Sequence, residues 1–145
     1  REVPNIVSLK DAAANPGETA VLIAAAPAQV EVYSGDDSLT LPLLASGIVG
    51  TVGVATHWTG ADHQQMFALW AKGDVAAARA VNARMLESFA FETGDDAPNP
   101  IPTKAMMRHL GFAVGQARLP MGPAPAHVDT RAAEVWANLQ NARQQ

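Results

Sequence analysis

The sequence predicts an α/β fold: the last three strands of a (β/α)8 barrel, or TIM barrel, followed by a helical C-terminal extension. Three observations predict it. Strand and helix patterns alternate at the start of the chain, each strand ends in a polar or glycine-containing motif, and only helical patterns follow His57. We expect residues 1–60 to hold the last three βα units. Residues 61–145 would hold the final barrel helix and a C-terminal helical region.

The first half of the chain carries short apolar segments separated by helix signals. We expect three strands, at Ile6 to Leu9, Val30 to Ser34 and Val49 to Val54. The first of these is predicted to be buried. Asn15 followed by Pro16 supplies an N-cap and a proline at the first helical position, and Pro27 would close that helix. Asp37 or Ser38 is expected to cap the next helix. This βαβαβ order is typical of a parallel sheet with helical crossovers.

The second half of the chain shows helical periodicity. We expect helices over Ala61 to Lys72, from Asp74 onward, from Pro102 to Gly111, and from a cap at Asp129 or Thr130 to near the C terminus. The second of these carries an apolar stripe of Val75, Ala78, Val81, Met85 and Phe89. We predict that the methionines and tryptophans of these helices lie in the core.

Composition excludes several classes of function. The chain has a net charge of −4 with scattered Lys and Arg, which argues against a nucleic-acid partner. No segment approaches the ~18 consecutive apolar residues of a membrane span. The start, Arg1-Glu2-Val3-Pro4, has no apolar region typical of a signal peptide. Absence of cysteine excludes disulfides and thiolate chemistry. We therefore expect a soluble, cytoplasmic protein without a membrane partner.

Three parallel strands do not make a complete barrel. A closed (β/α)8 barrel takes ~250 residues, whereas this sequence has 145. An open three-stranded parallel sheet would leave two edges with unpaired backbone groups. We therefore expect the N-terminal half of the barrel to be absent from this sequence and supplied by other residues.

Lys10 is the most informative residue because it ends the first predicted strand. The carboxyl ends of barrel strands build the active site. Desolvation there would disfavour the ammonium form and leave a nucleophilic amine that can condense with a keto acid. The alternative is a strand-end lysine that reaches solvent or pairs with Asp11. Position alone favours that alternative; the motifs that follow reverse the preference.

Glycine-containing motifs end the next two strands. Gly35 would let a ligand approach the backbone, although a simple turn would also need glycine there. The glycine-rich segment Gly47-Ile48-Val49-Gly50-Thr51-Val52-Gly53 lacks the Gly-Lys-Ser/Thr ending of a phosphate loop. A barrel phosphate site formed by the last two strand loops is an alternative, but small residues packed in a barrel wall are the simpler interpretation. The spacing of His57, Asp62 and His63 matches no strong metal-ligand signature, so we predict no metal site.

Five segments resemble the dihydrodipicolinate synthase family and its wider group of pyruvate-dependent lyases and aldolases. They are Pro4-Asn5-Ile6-Val7-Ser8-Leu9-Lys10-Asp11-Ala12, Tyr33-Ser34-Gly35-Asp36-Asp37, Gly50-Thr51-Val52-Gly53-Val54, Pro98-Asn99-Pro100-Ile101-Pro102-Thr103-Lys104 and Arg118-Leu119-Pro120. The lysine segment identifies the wider group. The Asn-Pro-Ile-Pro and Arg-Leu-Pro elements favour its synthase branch.

The resemblance implies a lyase of lysine and diaminopimelate biosynthesis. It would condense pyruvate with L-aspartate semialdehyde, through a Schiff base on Lys10, to give 4-hydroxy-tetrahydrodipicolinate. Gly35 would lie against the bound substrate, and Val52 would present its backbone carbonyl beside the lysine. The covalent imine would need no separate cofactor.

The same resemblance implies a homotetramer, inhibited by lysine in some members. It also implies a catalytic tyrosine, a threonine and a substrate-binding arginine from the first half of the barrel. The only tyrosine here, Tyr33, lies on a different strand. Alone, this segment would not hold a complete active site.

Two alternatives stay open. A related class I aldolase, such as N-acetylneuraminate lyase or a 2-keto-3-deoxy sugar acid aldolase, would use the same imine, so Lys10 does not distinguish it from the synthase. A non-catalytic half-barrel fragment is the other alternative. The sequence upstream of Arg1 would distinguish such a fragment from an enzyme, because a strand bearing a tyrosine there would favour the enzyme.

Overall fold

A computed structural model describes residues 3–144 and forms three strands and six helices in that range. In chain order they are β1 (Ser8–Asp11), α1 (Pro16–Ala25), β2 (Glu31–Ser34), α2 (Thr40–Leu44), β3 (Gly50–Thr51), α3 (Thr56–Ala71), α4 (Val75–Phe91), α5 (Ile101–His109) and α6 (Ala126–Ala142). The chain divides into two compact units, the first ending at Gly53 and the second beginning at Val54. All three strands belong to the first unit, and α3 to α6 belong to the second. None of the helices within residues 3–144 combines the length and apolar character that a membrane crossing requires.

The sheet of the first unit is parallel, with strand order β1-β2-β3. Lys10 pairs with Tyr33, and Tyr33 pairs in turn with Gly50. The same register pairs Asp11 with Ser34 and Ser34 with Thr51. The predicted α/β class with three adjacent parallel strands is therefore confirmed, and the three strand ends lie at one edge.

The strands are shorter than predicted, and the first is not buried. β1 begins at Ser8 rather than Ile6, and β3 covers only Gly50–Thr51. Ile6 and Val7 are 60% and 56% exposed, so the expectation of a buried first strand is wrong. The reason is that, among residues 3–144, β1 has a strand neighbour on one side only.

The core of the first unit lies between the sheet and its helices. Val32, Leu43 and Ile48 are buried together. Partly buried side chains packed against them are Leu22, Ile23, Leu39 and Leu44. Each fully buried aliphatic side chain of this kind contributes roughly 1.5–3 kcal/mol. This packing anchors β2, α2 and the segment that leads into β3.

In the first unit, one of the two predicted helix caps is confirmed and the other is wrong. Asn15 accepts a hydrogen bond from the Glu18 amide at 3.3 Å, which confirms the predicted cap of α1. Neither Asp37 nor Ser38 caps α2. Asp36 instead accepts hydrogen bonds from the amide and hydroxyl of Ser38, at 2.9 and 2.7 Å, because the chain turns before α2 begins.

The helices of the second unit also confirm one predicted cap and correct another. The Asp74 side chain accepts from the Ala77 amide at 3.0 Å at the start of α4, as predicted. The final helix begins at Ala126, before the predicted caps Asp129 and Thr130. Asp129 instead lies in the first turn and pairs with Arg108 at 2.5 Å.

A buried carboxylate links three helices of the second unit. Asp62 on α3 is only 2% exposed and pairs with Arg84 of α4 at 2.8 Å and with Arg143 at 2.5 Å. Arg143 follows α6, also donates to the Trp58 carbonyl at 3.2 Å, and lies over the Trp136 ring. The apolar pattern of α3 is interrupted by such buried polar residues. The helix begins at Thr56, ahead of the predicted start at Ala61.

Candidate active site

Lys10, Gly35 and Val52 lie at the same edge of the sheet. Lys10 belongs to β1, Gly35 directly follows β2, and Val52 directly follows β3. The Gly35 amide donates to the Asp11 carbonyl at 2.6 Å, and the Val52 amide donates to the Ser34 carbonyl at 2.8 Å. These bonds continue the strand pairing past the strand ends. The structure thus brings together the three residues that the sequence singled out.

The Lys10 side chain lies directly against Gly35. A Cβ added to Gly35 would lie 2.6 Å from Lys10 Cε and 2.7 Å from Ala12 Cβ. Such distances are well inside the optimal separation of two carbon atoms, ~3.5–4.0 Å. Glycine at position 35 is therefore needed for the lysine to take this course. A ligand bound to the Lys10 amine would also meet backbone, not a side chain, at Gly35.

Asp11 is engaged on the other side of β1. Its carboxylate accepts from the Thr19 hydroxyl at 2.5 Å and from the Ala13 amide at 3.0 Å. The hydrogen bond from Thr19, followed by that from Ala13, lowers the pKa of Asp11 below its ordinary value. Successive strand side chains point to opposite faces, so Lys10 projects from the face away from α1. Lys10 is exposed within residues 3–144, so the expected desolvation of its amine is not seen there. Of the two alternatives, the structure shows the lysine that reaches solvent, because Asp11 is engaged by Thr19 and Ala13 instead.

Tyr33 and Glu31 share the Lys10 face of the sheet. Tyr33 is the β2 partner of Lys10, and its ring packs on Gly50, where an added Cβ would lie 3.0 Å from Cε1. The Tyr33 hydroxyl donates to Glu31 Oε2 at 2.7 Å. This hydrogen bond raises the pKa of Tyr33. The Tyr33 hydroxyl is therefore directed along β2 toward Glu31. In this orientation it is not placed to transfer a proton at Lys10.

Hydroxyl groups fix the chain segments on either side of the site. Thr40 of α2 donates to the Thr51 hydroxyl at 3.1 Å, and Thr51 donates to the Ser34 carbonyl at 3.2 Å. The Ser34 hydroxyl donates to the Asp36 carbonyl at 2.7 Å. Ser34 and Thr40 are fully buried, so water does not compete for these bonds. The ends of β2 and β3 are therefore held in fixed relation to each other.

Asp37 and Gly53 form a contact that sequence reasoning missed. Asp37 is fully buried, and a Cβ added to Gly53 would collide with Asp37 Oδ1 and Oδ2. Gly53 directly follows Val52, so the contact lies next to a predicted site residue. An acidic residue shortly after the Gly35 motif was visible in the sequence, but only the fold shows that it faces Gly53.

The histidines near the third strand do not assemble a metal site. His57 Nδ1 lies 2.8 Å from the Val54 carbonyl oxygen, and His63 lies 3.1 Å from the Thr59 hydroxyl. Asp62 is engaged by arginines. Within residues 3–144, no group of three or more His, Cys, Asp or Glu side chains is arranged to hold a metal ion.

Lys104, in the first of the two segments that favour the synthase branch, holds part of the extended connection of the second unit in place. Lys104 donates to the Val114 and Gln116 carbonyls at 2.7 and 2.9 Å. The Asn99–Pro100 and Leu119–Pro120 peptide bonds are both cis.

Comparison with known proteins agrees with the family resemblance of the sequence. The model of the dihydrodipicolinate synthetase family matches residues 1–138. A 4-hydroxy-tetrahydrodipicolinate synthase from a Cyanothece species is 43% identical over 127 residues, covering 86% of this chain and 42% of that protein. One from Halalkalibacterium halodurans is 42% identical over 139 residues, covering 96% of this chain and 46% of that protein. The chain spans about half the length of the curated relatives it matches.

Solved structures show the same fold. The dihydrodipicolinate synthase of Cyanidioschyzon merolae, solved with lysine bound, matches with a TM-score of 0.87 at 36% identity, covering 94% of this chain and 46% of that one. The 4-hydroxy-tetrahydrodipicolinate synthase of Methylacidiphilum fumariolicum SolV matches with a TM-score of 0.85 at 26% identity, covering 97% and 46%. Sequence and structure together show that this chain belongs to the dihydrodipicolinate synthetase family.

Proposed function

We propose that the polypeptide carrying this chain is a 4-hydroxy-tetrahydrodipicolinate synthase, a lyase that condenses pyruvate with L-aspartate semialdehyde. The observation that carries the proposal is the Lys10 side chain lying against Gly35 at the carboxyl edge of the sheet. In this proposal the chain forms the last three strands of a (β/α)8 barrel and its C-terminal helices. The other strands would cover the exposed edge of β1 and supply the tyrosine, threonine and arginine of the site.

The proposed chemistry begins at the Lys10 amine. The neutral amine adds to the C2 carbonyl of pyruvate, and uptake of one proton with loss of water gives a protonated imine. The imine withdraws electrons from C3, so loss of a C3 proton gives an enamine. The enamine attacks the aldehyde carbon and forms the new carbon–carbon bond. The amino group of the second substrate then adds to the imine carbon, closes the ring and releases Lys10 as a free amine. No separate cofactor takes part.

The backbone of the strand ends would bind the pyruvate-derived carbon atoms. Gly35 leaves room beside Lys10, because any side chain there would occupy the space of Cε. The Val52 carbonyl would orient the protonated nitrogen and the substrate next to it. Its place is set by the 2.8 Å bond from the Val52 amide to Ser34. Positioning of this kind is worth several kcal/mol when the reacting atoms are held within ~3–3.5 Å.

Reductive trapping tests the proposal. The complete polypeptide, incubated with pyruvate and borohydride, should gain one N-carboxyethyl group per chain, and peptide mapping should place it on Lys10. Lys10→Ala should abolish the adduct and lower turnover by at least ~10³-fold, because the covalent intermediate is lost. Lys72→Ala is the matched control, since Lys72 is exposed at the end of α3 and should leave trapping unchanged. An adduct on Lys72 or Lys104, or turnover that survives in Lys10→Ala, would contradict the mechanism.

A further inference from the structure

Asp37 is a carboxylate that the mechanism above does not use. It is fully buried in the loop between β2 and α2, two residues after Gly35. Burying a carboxylate costs free energy unless its surroundings stabilise it, so the position needs an explanation. Its neighbour Asp36 stabilises the turn before α2 by accepting hydrogen bonds from the amides of Ser38 and Leu39. Asp37 faces a different part of the unit, the segment after β3.

The group that Asp37 meets is the backbone at Gly53. The nearest heavy atoms to a Cβ added at Gly53 are all carboxyl atoms of Asp37: Oδ1, Oδ2 and Cγ. The carboxylate therefore packs directly on the Gly53 α-carbon. Glycine is the residue that permits this approach, because every other residue would bring a Cβ into the carboxylate.

The contact bears on the Val52 carbonyl through the planarity of the peptide bond. The Val52 carbonyl, the Gly53 amide and both α-carbons lie in one plane. The strand-type bond from the Val52 amide to Ser34 fixes one side of Val52, and Asp37 limits where the Gly53 α-carbon can lie. With both ends restrained, rotation of the plane is restrained as well. The direction of the Val52 carbonyl is thus set by a residue that does not touch the substrate.

We propose that Asp37 is a positioning residue for pyruvate, acting through its packing on Gly53 to orient the Val52 carbonyl toward Lys10. This inference rests on the proposed function, because it takes Lys10 as the amine that binds pyruvate. Its effect is specific to the first substrate. Removal of the contact lets the Val52–Gly53 peptide rotate and weakens pyruvate binding, while the lysine itself stays in place on β1.

Steady-state kinetics of the complete polypeptide test this role. Asp37→Ala should raise the KM for pyruvate about tenfold, in line with the cost of a small misplacement in a site. The KM for L-aspartate semialdehyde and the number of Lys10 adducts per chain should stay within about twofold of wild type. Asp36→Asn is the matched control, since asparagine can still accept the bonds that support the turn, and both KM values should be unchanged.

A double-mutant cycle separates positioning from general destabilisation. Gly53→Ala alone should raise the pyruvate KM about tenfold, because its methyl group collides with the carboxylate. In the Asp37→Ala background the same methyl group fits, so it should change the KM by less than about twofold. Independent structural damage would instead give multiplicative effects.

Two outcomes would overturn the inference. One is a normal pyruvate KM in Asp37→Ala, and the other is an equal rise in KM for both substrates. If Asp37→Ala shows no cooperative thermal unfolding, Gly53→Ala decides alone, and a normal pyruvate KM in that variant counts against the role. Absence of a Lys10 adduct in the wild-type protein would be a failure of the proposed function. A normal adduct with unaffected KM values would be a failure of the Asp37 role only.

Discussion

At the scale of residues, the side chain of Lys10 passes directly over Gly35, which has no side chain of its own. Lys10 Cε occupies the space that a Cβ at position 35 would need. Any other residue at position 35 would therefore displace the Lys10 side chain or Ala12 from this arrangement. Gly35, which takes no chemical part in the proposed reaction, thus affects where the Lys10 side chain can lie.

Gly35→Ala tests that dependence. We expect the added methyl group to displace Lys10 and Ala12 and to slow borohydride trapping of pyruvate by at least about tenfold, because the amine leaves its productive position. Trapping rates at fixed pyruvate concentration measure the effect. Gly60→Ala is the control: no heavy atom lies within 4 Å of an added Cβ at Gly60 in α3. That change should leave trapping intact and stabilise the helix by about 0.5–1 kcal/mol. Unchanged trapping in Gly35→Ala would show that Lys10 does not need this space.

The residue scale also shows how far the sequence could predict the site. The placement of Lys10, Gly35 and Val52 at one edge was predictable because each lies in or next to the last residues of a strand, and the carboxyl ends of parallel strands meet at one edge. The Asp37–Gly53 contact was not predictable from spacing, because it depends on how the loop after β2 folds back on the segment after β3. The exposure of Lys10 was also missed, since burial of a strand depends on neighbours that local sequence does not specify.

At the scale of elements, the helices of the second unit are joined by Asp62. Its carboxylate lies between Arg84 and Arg143, whose side chains are 19% and 26% exposed, while its own is 2% exposed. Removing the charge would leave two partly buried guanidinium groups without their shared partner. Breaking a buried pair in this way is far more costly than losing a surface pair.

Asp62→Asn should therefore lower the free energy of unfolding by about 3–5 kcal/mol. Urea unfolding followed by circular dichroism measures the change. The matched control is Asp96→Asn, which removes the contact between Asp96 and His127. Both side chains of this pair are well exposed, Asp96 at 67% and His127 at 64%. We expect that control to cost less than about 1 kcal/mol. Equal losses in both variants would mean that Asp62 does not link the helices as the geometry indicates.

Elements with strong local signals were predicted well, and those that depend on tertiary contacts were not. Asn15 and Asp74 cap α1 and α4 as expected, because the capping bond involves only residues nearby in sequence. Asp129 has equal capping chemistry but is bound by Arg108, so α6 begins earlier, at Ala126. A polar residue that can act as a cap therefore predicts the presence of a helix more reliably than it predicts the residue at which the helix begins.

At the scale of the whole molecule, each unit exposes apolar side chains. On the first unit Ile6, Val7, Val49 and Val52 are all at least half exposed. On the second unit Leu119 is 87% exposed and Phe112 is 56% exposed. Exposed apolar groups that cluster indicate surfaces made for contact. In the proposed enzyme, the remaining barrel strands and neighbouring subunits would cover them.

We predict that the complete polypeptide is a tetramer, with the helices of the second unit in contact with a neighbouring subunit. Sedimentation velocity over a dilution series at micromolar concentration measures the assembly, and a constant tetramer peak excludes nonspecific aggregation. Leu119→Glu should shift the distribution toward smaller species if that exposed side chain lies in a contact. A monomer across the whole series would contradict the prediction.

The hydrogen bond from Thr19 to Asp11 affects which charged side chain β1 presents at the site. β1 is four residues long, so little pairing opposes a slip along β2. A slip by one residue would exchange the two faces and bring a carboxylate to the place of the Lys10 ammonium. The Thr19 hydroxyl donates to Asp11 only when Asp11 lies on the helix side of β1. A threonine on a neighbouring helix thus helps this edge of the sheet to offer a keto acid an amine and not a repelling anion.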